Sequence, residues 1–246
     1  MRLKTTIKRI APKPILNLYK SITRKSEHKT ISQTFNEIYT THYWDSDESI
    51  SGAGSDLIHT QTLIKELNKL LKQYDINSML DIPCGDFNWM RKVDLNDINY
   101  IGADIVPDLI KNNILMYEQA TIKFQTLDLT SDPLPKTDLI FCRDCLVHLS
   151  IKNIYKALVN IKKSKSRYLL TTSFVKHSKN RNIKTGAWRK LNLMNSPFYF
   201  SKPLTVINEN YTKKGELDKD KSMCLWEIKS LKIPLKLKLY GVIFRY

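Results

Sequence analysis

Leu80-Asp81-Ile82-Pro83-Cys84-Gly85-Asp86-Phe87-Asn88-Trp89 ends an apolar run on an acid and follows it at once with a turn containing Gly85. In an open α/β sheet, ligands bind outside the carboxyl ends of such strands, beside the first crossover. The next apolar run ends at Asp104, 23 positions after Asp81, where an acid can reach ribose hydroxyls. Two carboxylates and a turn therefore face one crevice. A nicotinamide dinucleotide fits this crevice poorly, because its fingerprint needs three glycines to bring the backbone against a pyrophosphate. Here Gly85 stands alone among Pro83, Asp86 and Phe87, and Asp86 adds negative charge where the phosphates would lie. Two like unit charges about 4 Å apart repel by roughly 4 kcal/mol at a surface-like dielectric. A cofactor without phosphates is expected.

Downstream, short apolar runs alternate with helical periodicity. Strands are expected over 78–82, 99–104, 122–127, 138–142 and 167–173. Pro107 fits the first turn of a helix carrying Leu109, Ile110, Ile114 and Tyr117, and Ser150 fits the cap of one carrying Ile151, Ile154, Leu158 and Ile161. That alternation predicts a parallel sheet covered on both faces. Two more strands, 204–209 and 223–227, are joined by a polar, Gly-containing stretch without helical pattern, which predicts an antiparallel pair at the sheet edge. The fold class is thus α/β, a mostly parallel seven-stranded sheet with helices on both faces and an antiparallel edge strand.

Upstream, Leu57, Thr60, Ile64, Leu67, Leu71 and Tyr74 recur at helical spacing, with Ser55 or Asp56 placed to cap the start. The stretch 40–55 lacks either periodicity and reads as an ordered loop. Ahead of the first acid, Glu27, the chain holds Arg2, Lys4, Lys8, Arg9, Lys13, Lys20, Arg24 and Lys25, around Ile7, Ile10, Ile15 and Leu16. Such an arm either lies on an anionic membrane face or packs its apolar residues on the core. The chain divides into this basic arm (1–30), a helical cap and loop over the site (31–77), a cofactor-binding core (78–228) and a tail (229–246).

The formal charge of +16 could attract anionic partners, but the lysines are scattered and do not interleave with aromatics, so no nucleic acid is expected. Four cysteines do not make a disulfide framework, and Cys142-x-x-Cys145 lacks a second ligand pair, so no metal is expected either. With no secretory signal and no apolar run near the roughly 18 residues that cross a bilayer, the expected location is cytoplasmic, peripheral at the inner membrane face if the arm binds there.

A third acid, Asp128, ends the next strand, and the fourth closes in Cys142-Arg143-Asp144-Cys145-Leu146-Val147-His148-Leu149-Ser150. With these residues the chain resembles the class I S-adenosylmethionine-dependent methyltransferases, over roughly 78–228. The resemblance implies a Rossmann-like methyltransferase fold and S-adenosylmethionine as cofactor. It assigns Asp81 and Gly85, with Pro83, Asp86, Phe87 and Trp89 of the same turn, to the methionine part of the cofactor. Asp104 with Ile105 would hold the ribose, Asp128 with Leu129 the adenine, and Arg143 would stand beside them. The turn departs from the family's usual D-x-G-x-G-x-G at Pro83 and Phe87, which leaves its backbone contacts open. Glu48-Ser49-x-Ser51-Gly52-x-Gly54-Ser55, the 81–89 turn, 143–149 and Asn182-x-x-x-Gly186-x-Trp188-Arg189 also resemble bacterial methyltransferases associated with surface polysaccharide synthesis. A small-molecule or glycan acceptor follows from that narrower likeness.

Transfer to a hydroxyl needs a base, and Asp144 and His148 both stand just after the fourth strand, where an acceptor would meet the cofactor. His titrates near neutrality, which favours His148, while a structural histidine and an acceptor-holding Asp144 are the alternatives. Asn182, Trp188 and Arg189 offer donors and a stacking face to an acceptor, or form an ordinary surface loop. Trp44, Glu48 and Ser51 belong to a second cover whose closure would exclude water, with Trp44 a core anchor in the plainer reading. An RNA or small-metabolite methyltransferase, and a cofactor-binding scaffold without activity, are the competing functions.

Overall fold

A computed structural model describes residues 29–234 apart from 45, 214, 215 and 218. All of the expected basic arm but Lys29 and Thr30, and the tail beyond Pro234, lie outside the described residues. Among the described residues no helix is long and apolar enough to cross a membrane.

The sheet contains β1 (Ser78–Asp81), β2 (Asn99–Asp104), β3 (Ile122–Thr126), β4 (Leu139–Cys142), β5 (Tyr168–Phe174), β6 (Thr205–Asn208) and β9 (Lys221–Glu227), in the order β3-β2-β1-β4-β5-β9-β6. A separate two-stranded ribbon joins β7 (Thr212–Lys213) to β8 (Glu216–Leu217). The strands β1 to β5 pair in parallel, with Leu80 opposite both Ile101 and Ile140, and β9 inserts between β5 and β6, antiparallel to each. Reversal of chain order at β1 and β4 opens the crevice at the carboxyl end of β1. In β4 and β5 every residue is buried, as expected of strands covered on both faces.

Alternate residues of one strand enter two cores. On one side Met79, Leu139, Phe141 and Leu225 meet Leu63, Leu67, Leu70 and Leu71 of α2 (Leu57–Gln73). On the other, Leu80, Ile140, Leu169 and Trp226 meet Ile154, Leu158 and Ile161 of α4 (Ile151–Lys163). The period of two in the strands and of 3.6 in the helices makes both faces apolar at once. Pro107 starts α3 (Pro107–Tyr117) at its first turn, and Ser150 Oγ accepts Asn153 N–H at the start of α4.

Three crossovers between parallel strands carry no α-helix. Between β1 and β2 a 3-10 turn over Met90–Lys92 is flanked by buried Trp89, Val93, Leu95 and Ile98, which fill the space a helix would occupy. The other two join β3 to β4, through Pro133 and Pro135, and β5 to β6, through residues 175–204. Before the core, α1 (Ile31–Thr40) begins with a capping box in which Thr30 and Gln33 satisfy each other's backbone N–H groups.

Candidate functional site

The carboxyl ends of β1 to β4 open into a cavity of about 540 Å³, within the range of roughly 300–1,000 Å³ for small-molecule sites. Asp81, Pro83, Gly85, Asp86, Trp89, Asp104, Ile105, Asp128, Leu129, Arg143, Asp144, His148, Trp44, Ser51 and Trp188 all line it. Asp81 and Asp128, 47 positions apart, meet there because parallel strands deliver their ends to one edge.

The acids differ in circumstance. Tyr100 Oη donates to Asp81 Oδ2 at 2.8 Å, whereas Asp81 Oδ1 is buried without a partner. Burial pushes this carboxyl up to about 8, against the Tyr100 hydrogen bond. Asp104 accepts Val106 N–H at 3.1 Å and Gly85 N–H at 3.3 Å, and burial raises it to about 6. Asp128 Oδ1 accepts Thr130 N–H at 2.7 Å. Gly85 has φ +57°, and a Cβ built on it would lie 2.3 Å from Ser51 Oγ, so backbone and neighbour both require glycine.

The 46–55 loop is a fixed wall. Asp86 accepts from Ser49 Oγ at 2.8 Å, Ile50 N at 3.0 Å and Ser51 Oγ at 3.4 Å. Arg143 Nη2 donates to Gly54 O at 2.8 Å. The Asp86 carboxylate is thus spent on the loop rather than free for a ligand. Ser51 stands over the Gly85 turn, and its Oγ accepts Asp86 N–H at 3.2 Å.

Four expected contacts are corrected. Phe87 points away from the cavity and packs among Tyr100, Tyr117 and Phe124 at 5.2 to 5.4 Å between ring centres. Glu48 caps α2, accepting Leu57 N–H at 3.0 and 3.2 Å where Asp56 makes no side-chain cap. Asn182 Oδ1 accepts Ile151 N–H at 2.8 Å and so serves the start of α4. Arg189 is 1% exposed and donates to Leu146 O and Val147 O, behind the cavity wall.

A buried ion network closes the β4 side. Arg143 reaches Glu209 Oε2 through Nη2 at 2.6 Å and Nε at 3.2 Å, and Lys221 Nζ lies 2.6 Å from Asp144 Oδ2 and 3.3 Å from Glu209 Oε2. Arg143 lines the cavity with its donors committed to protein. Burial pushes the Asp144 carboxyl up, but Lys221 and then Arg143 outweigh it and hold Asp144 well below the usual carboxylate range. Asp144 therefore stays ionised, with its Oδ2 committed to Lys221 and Arg143.

His148 Nδ1 lies 3.1 Å from Ala187 O, and the ring faces Trp44 at 4.4 Å. A carbonyl only accepts, so Nδ1 carries the proton and Nε2 keeps its lone pair. Burial lowers His148 to about 4, which leaves it neutral at physiological pH. Sequence reasoning missed Lys221, Glu209 and Tyr211, which come from the far side of β5, and the Ile31, Phe35 and Ile38 face of α1. The α1 signal was present in Thr30-x-x-Gln33 ahead of an apolar stripe.

Among the described residues that line the cavity, the Lys and Arg side chains are Arg143 and Lys221, both paired to carboxylates. A pyrophosphate would meet no free cation there. An amine, a diol and an exocyclic amino group would instead meet Asp81, Asp104 and Asp128, and Asp81 Oδ1 has no donor within the protein. This set of acceptors fits S-adenosylmethionine.

The fold is an α/β sheet of Rossmann-like order, parallel from β1 to β5 and completed by antiparallel β9. No family model matches the chain, and no curated protein matches it. Among solved structures it is similar to human N-acetylserotonin methyltransferase in complex with SAM, at 13% identity and TM-score 0.46, covering 84% of this chain and 68% of that one. It is similar to N-methyltransferase NodS from Bradyrhizobium japonicum WM9 in complex with S-adenosyl-L-homocysteine, at 17% identity and TM-score 0.46, covering 55% and 72%. Magnesium protoporphyrin IX methyltransferase from Synechocystis PCC 6803 with bound SAH gives 17% identity and TM-score 0.42, covering 64% and 73%. Likeness at this level concerns architecture, so activity has to be argued from the residues of this chain.

Proposed function

We propose that this chain is an S-adenosylmethionine-dependent methyltransferase acting on a hydroxyl group. The observation that carries the reading is the set of Asp81, Asp104 and Asp128 at the ends of three adjacent parallel strands, with no unpaired Lys or Arg among the described cavity residues. Asp81 would accept from the amino group, Asp104 from the ribose hydroxyls and Asp128 from the adenine amino group. Bound there, the cofactor would supply an electrophilic methyl group.

The chain's own residues do the rest. His148 Nε2 takes the proton that the acceptor hydroxyl loses as its oxygen gains the methyl. The resulting imidazolium is favoured by the ionised Asp144, the largest influence opposing its desolvation. Lys221 and Arg143 keep Asp144 ionised for that purpose. Trp44 and Trp188 at the cavity wall exclude water and offer flat faces to the acceptor.

For the acceptor we infer a sugar, nucleotide sugar or glycan of bacterial surface polysaccharide (capsule or lipopolysaccharide) synthesis, handled in the cytoplasm. The resemblance of 48–55, 143–149 and 182–189 supports it, as does a wall that joins indole faces to the polar groups of His148, Asp144 and Lys221. A small apolar metabolite is the second reading, favoured by Ile31, Phe35 and Ile38 of α1, which line the cavity although no residue of α1 is fully buried.

Isothermal titration with S-adenosylmethionine and with NAD tests the first step. S-adenosylmethionine should bind at micromolar concentration and NAD should not, and Asp104→Ala should weaken S-adenosylmethionine by tenfold or more, since hydrogen bonds to a charged group contribute about 1.5–3 kcal/mol each. Binding of NAD, or unchanged affinity in Asp104→Ala, would defeat the reading.

A further inference from the structure

Residues 175–208 contain Lys176, Lys179, Arg181, Lys184, Arg189, Lys190 and Lys202 and no Asp or Glu. The structure sets this acid-free segment against the cavity. Gly186 N–H donates to His148 O at 2.9 Å, Ala187 O meets His148 Nδ1, and Trp188, 47% exposed, lines the cavity itself. Asparagines knit the segment together: Asn192 Nδ2 donates to Val175 O and His177 O, and Asn180 Nδ2 to Asn192 O and Ser196 O. Its cations are therefore presented from an ordered rim. Among the described residues, Lys176, Lys179, Arg181 and Lys184 are exposed and meet no carboxylate, while Lys190 lies 3.9 Å from Asp220.

Arg189 supplies an independent observation. Its guanidinium is buried under this rim, and while Nη1 reaches two carbonyls, Nε and Nη2 have no partner. Burial first and Arg181 second pull its pKa down to about 10, which still leaves it charged at neutral pH. A buried cation without a counter-ion is costly, and a second guanidinium beside it deepens the deficit. An anion at the rim would relieve both.

We propose that this rim docks a phosphate group carried by the methyl acceptor, so that the acceptor is a phosphorylated or nucleoside diphosphate-linked sugar rather than a neutral one. The inference rests on the methyltransferase reading and narrows its substrate. A phosphate monoester carries about −1.5 to −2 charges at pH 7, and Arg and Lys are its usual donors. Lys179, Arg181 and Lys184 would hold it, with Arg189 adding positive potential from beneath and Trp188 offering a face to sugar or base. The anchored acceptor then enters the cavity beside His148. A cavity of about 540 Å³ shared with the cofactor suits a small acceptor rather than a polymer.

The test uses the full chain saturated with S-adenosylhomocysteine, titrated with inorganic pyrophosphate, uridine diphosphate glucose and glucose, and repeated for Lys179→Ala/Arg181→Ala/Lys184→Ala. Pyrophosphate and the nucleotide sugar should bind and glucose should not. The triple substitution, all at exposed positions, should weaken both phosphates tenfold or more and leave S-adenosylhomocysteine affinity unchanged. Equal binding by wild type and variant, or no binding at millimolar concentration, overturns the proposal. So does retention of single-stranded RNA or phosphatidylglycerol vesicles through these side chains when small phosphates are not held. If S-adenosylhomocysteine itself fails to bind, the methyltransferase reading falls, while pyrophosphate titrated alone still reports on the rim.

Discussion

Lys221 Nζ lies 2.6 Å from Asp144 Oδ2, bridging the start of β9 and the residue two past the end of β4 across the strand between them. Asp144 has φ +50°, an unusual conformation for a residue with a side chain, and the Lys221 and Arg143 contacts hold it there. Replacing Lys221 with Met should destabilise the protein by about 1–3 kcal/mol. That is less than the 3–5 kcal/mol of a fully buried broken pair, because Asp144 is partly exposed and keeps Arg143. Denaturant melts check this, and adding Asp144→Asn should cost less than the sum of the single changes. Strict additivity would mean that the pair is not coupled.

The same depressed carboxyl sets an acid limit. A group whose folded pKa lies below its unfolded value, about 3.9 for Asp, gives stability that is complete above the unfolded pKa and lost as pH falls through the folded one. Wild type should therefore lose stability relative to Asp144→Asn as pH drops below about 4. Parallel melts from pH 6 to pH 2 measure the difference, and curves that never converge would refute the assignment.

Asp81 works in the opposite direction. Its pKa is raised to about 8 by burial, so the stability linked to its proton is full below about 3.8 and is lost as pH rises through about 8. Asp81→Asn keeps an acceptor for Tyr100 and removes the buried charge. The variant should melt higher than wild type at pH 9, by about 1–3 kcal/mol in stability, and match it near pH 4. It should also bind S-adenosylmethionine at least tenfold more weakly. A site kept at the expense of stability is a mark of function rather than packing.

The strand ends were legible because local signals carried them: 99–104 coincides with β2, Pro107 sits at the first turn of α3, and Ser150 caps α4. Asp81, Asp104 and Asp128 followed from those ends. Glu48 was misread because its role depends on how the 46–55 loop folds back to Leu57 N–H, a contact that periodicity does not encode. Lys221 was invisible for a related reason. Only the antiparallel pairing of β5 with β9, which sets Phe174 opposite Lys221, delivers it to the cavity.

Gly85 is a position where one added methyl group should disturb the turn after β1. Alanine there must adopt φ +57° and drive its Cβ to 2.3 Å from Ser51 Oγ. Strained backbone of this kind costs about 1–3 kcal/mol, before any displacement of the loop that Asp86 holds. Gly85→Ala should lower the melting temperature and abolish cofactor binding. Adding Ser51→Gly should recover part of the stability by removing the clash, while leaving the backbone cost. No recovery at all would mean that the dihedral angle, and not the contact with Ser51, decides the residue.

His148 decides whether the proton is taken by the protein. Since Nδ1–H is held by Ala187 O and burial lowers the pKa to about 4, the ring is competent as a base throughout the neutral range. With a phosphorylated sugar as acceptor, kcat/KM should be flat from pH 6 to pH 8 and fall only toward pH 4, not near the 6.5 of an exposed histidine. His148→Gln should reduce kcat by about 10²–10⁴ without moving the Kd for S-adenosylmethionine. Trp44→Leu, which takes away the ring packed on the imidazole, should raise the pH of the acid limb as water reaches the ring. A variant lacking His148 that keeps more than a tenth of its activity would return the histidine to a structural role and leave proton removal to solvent.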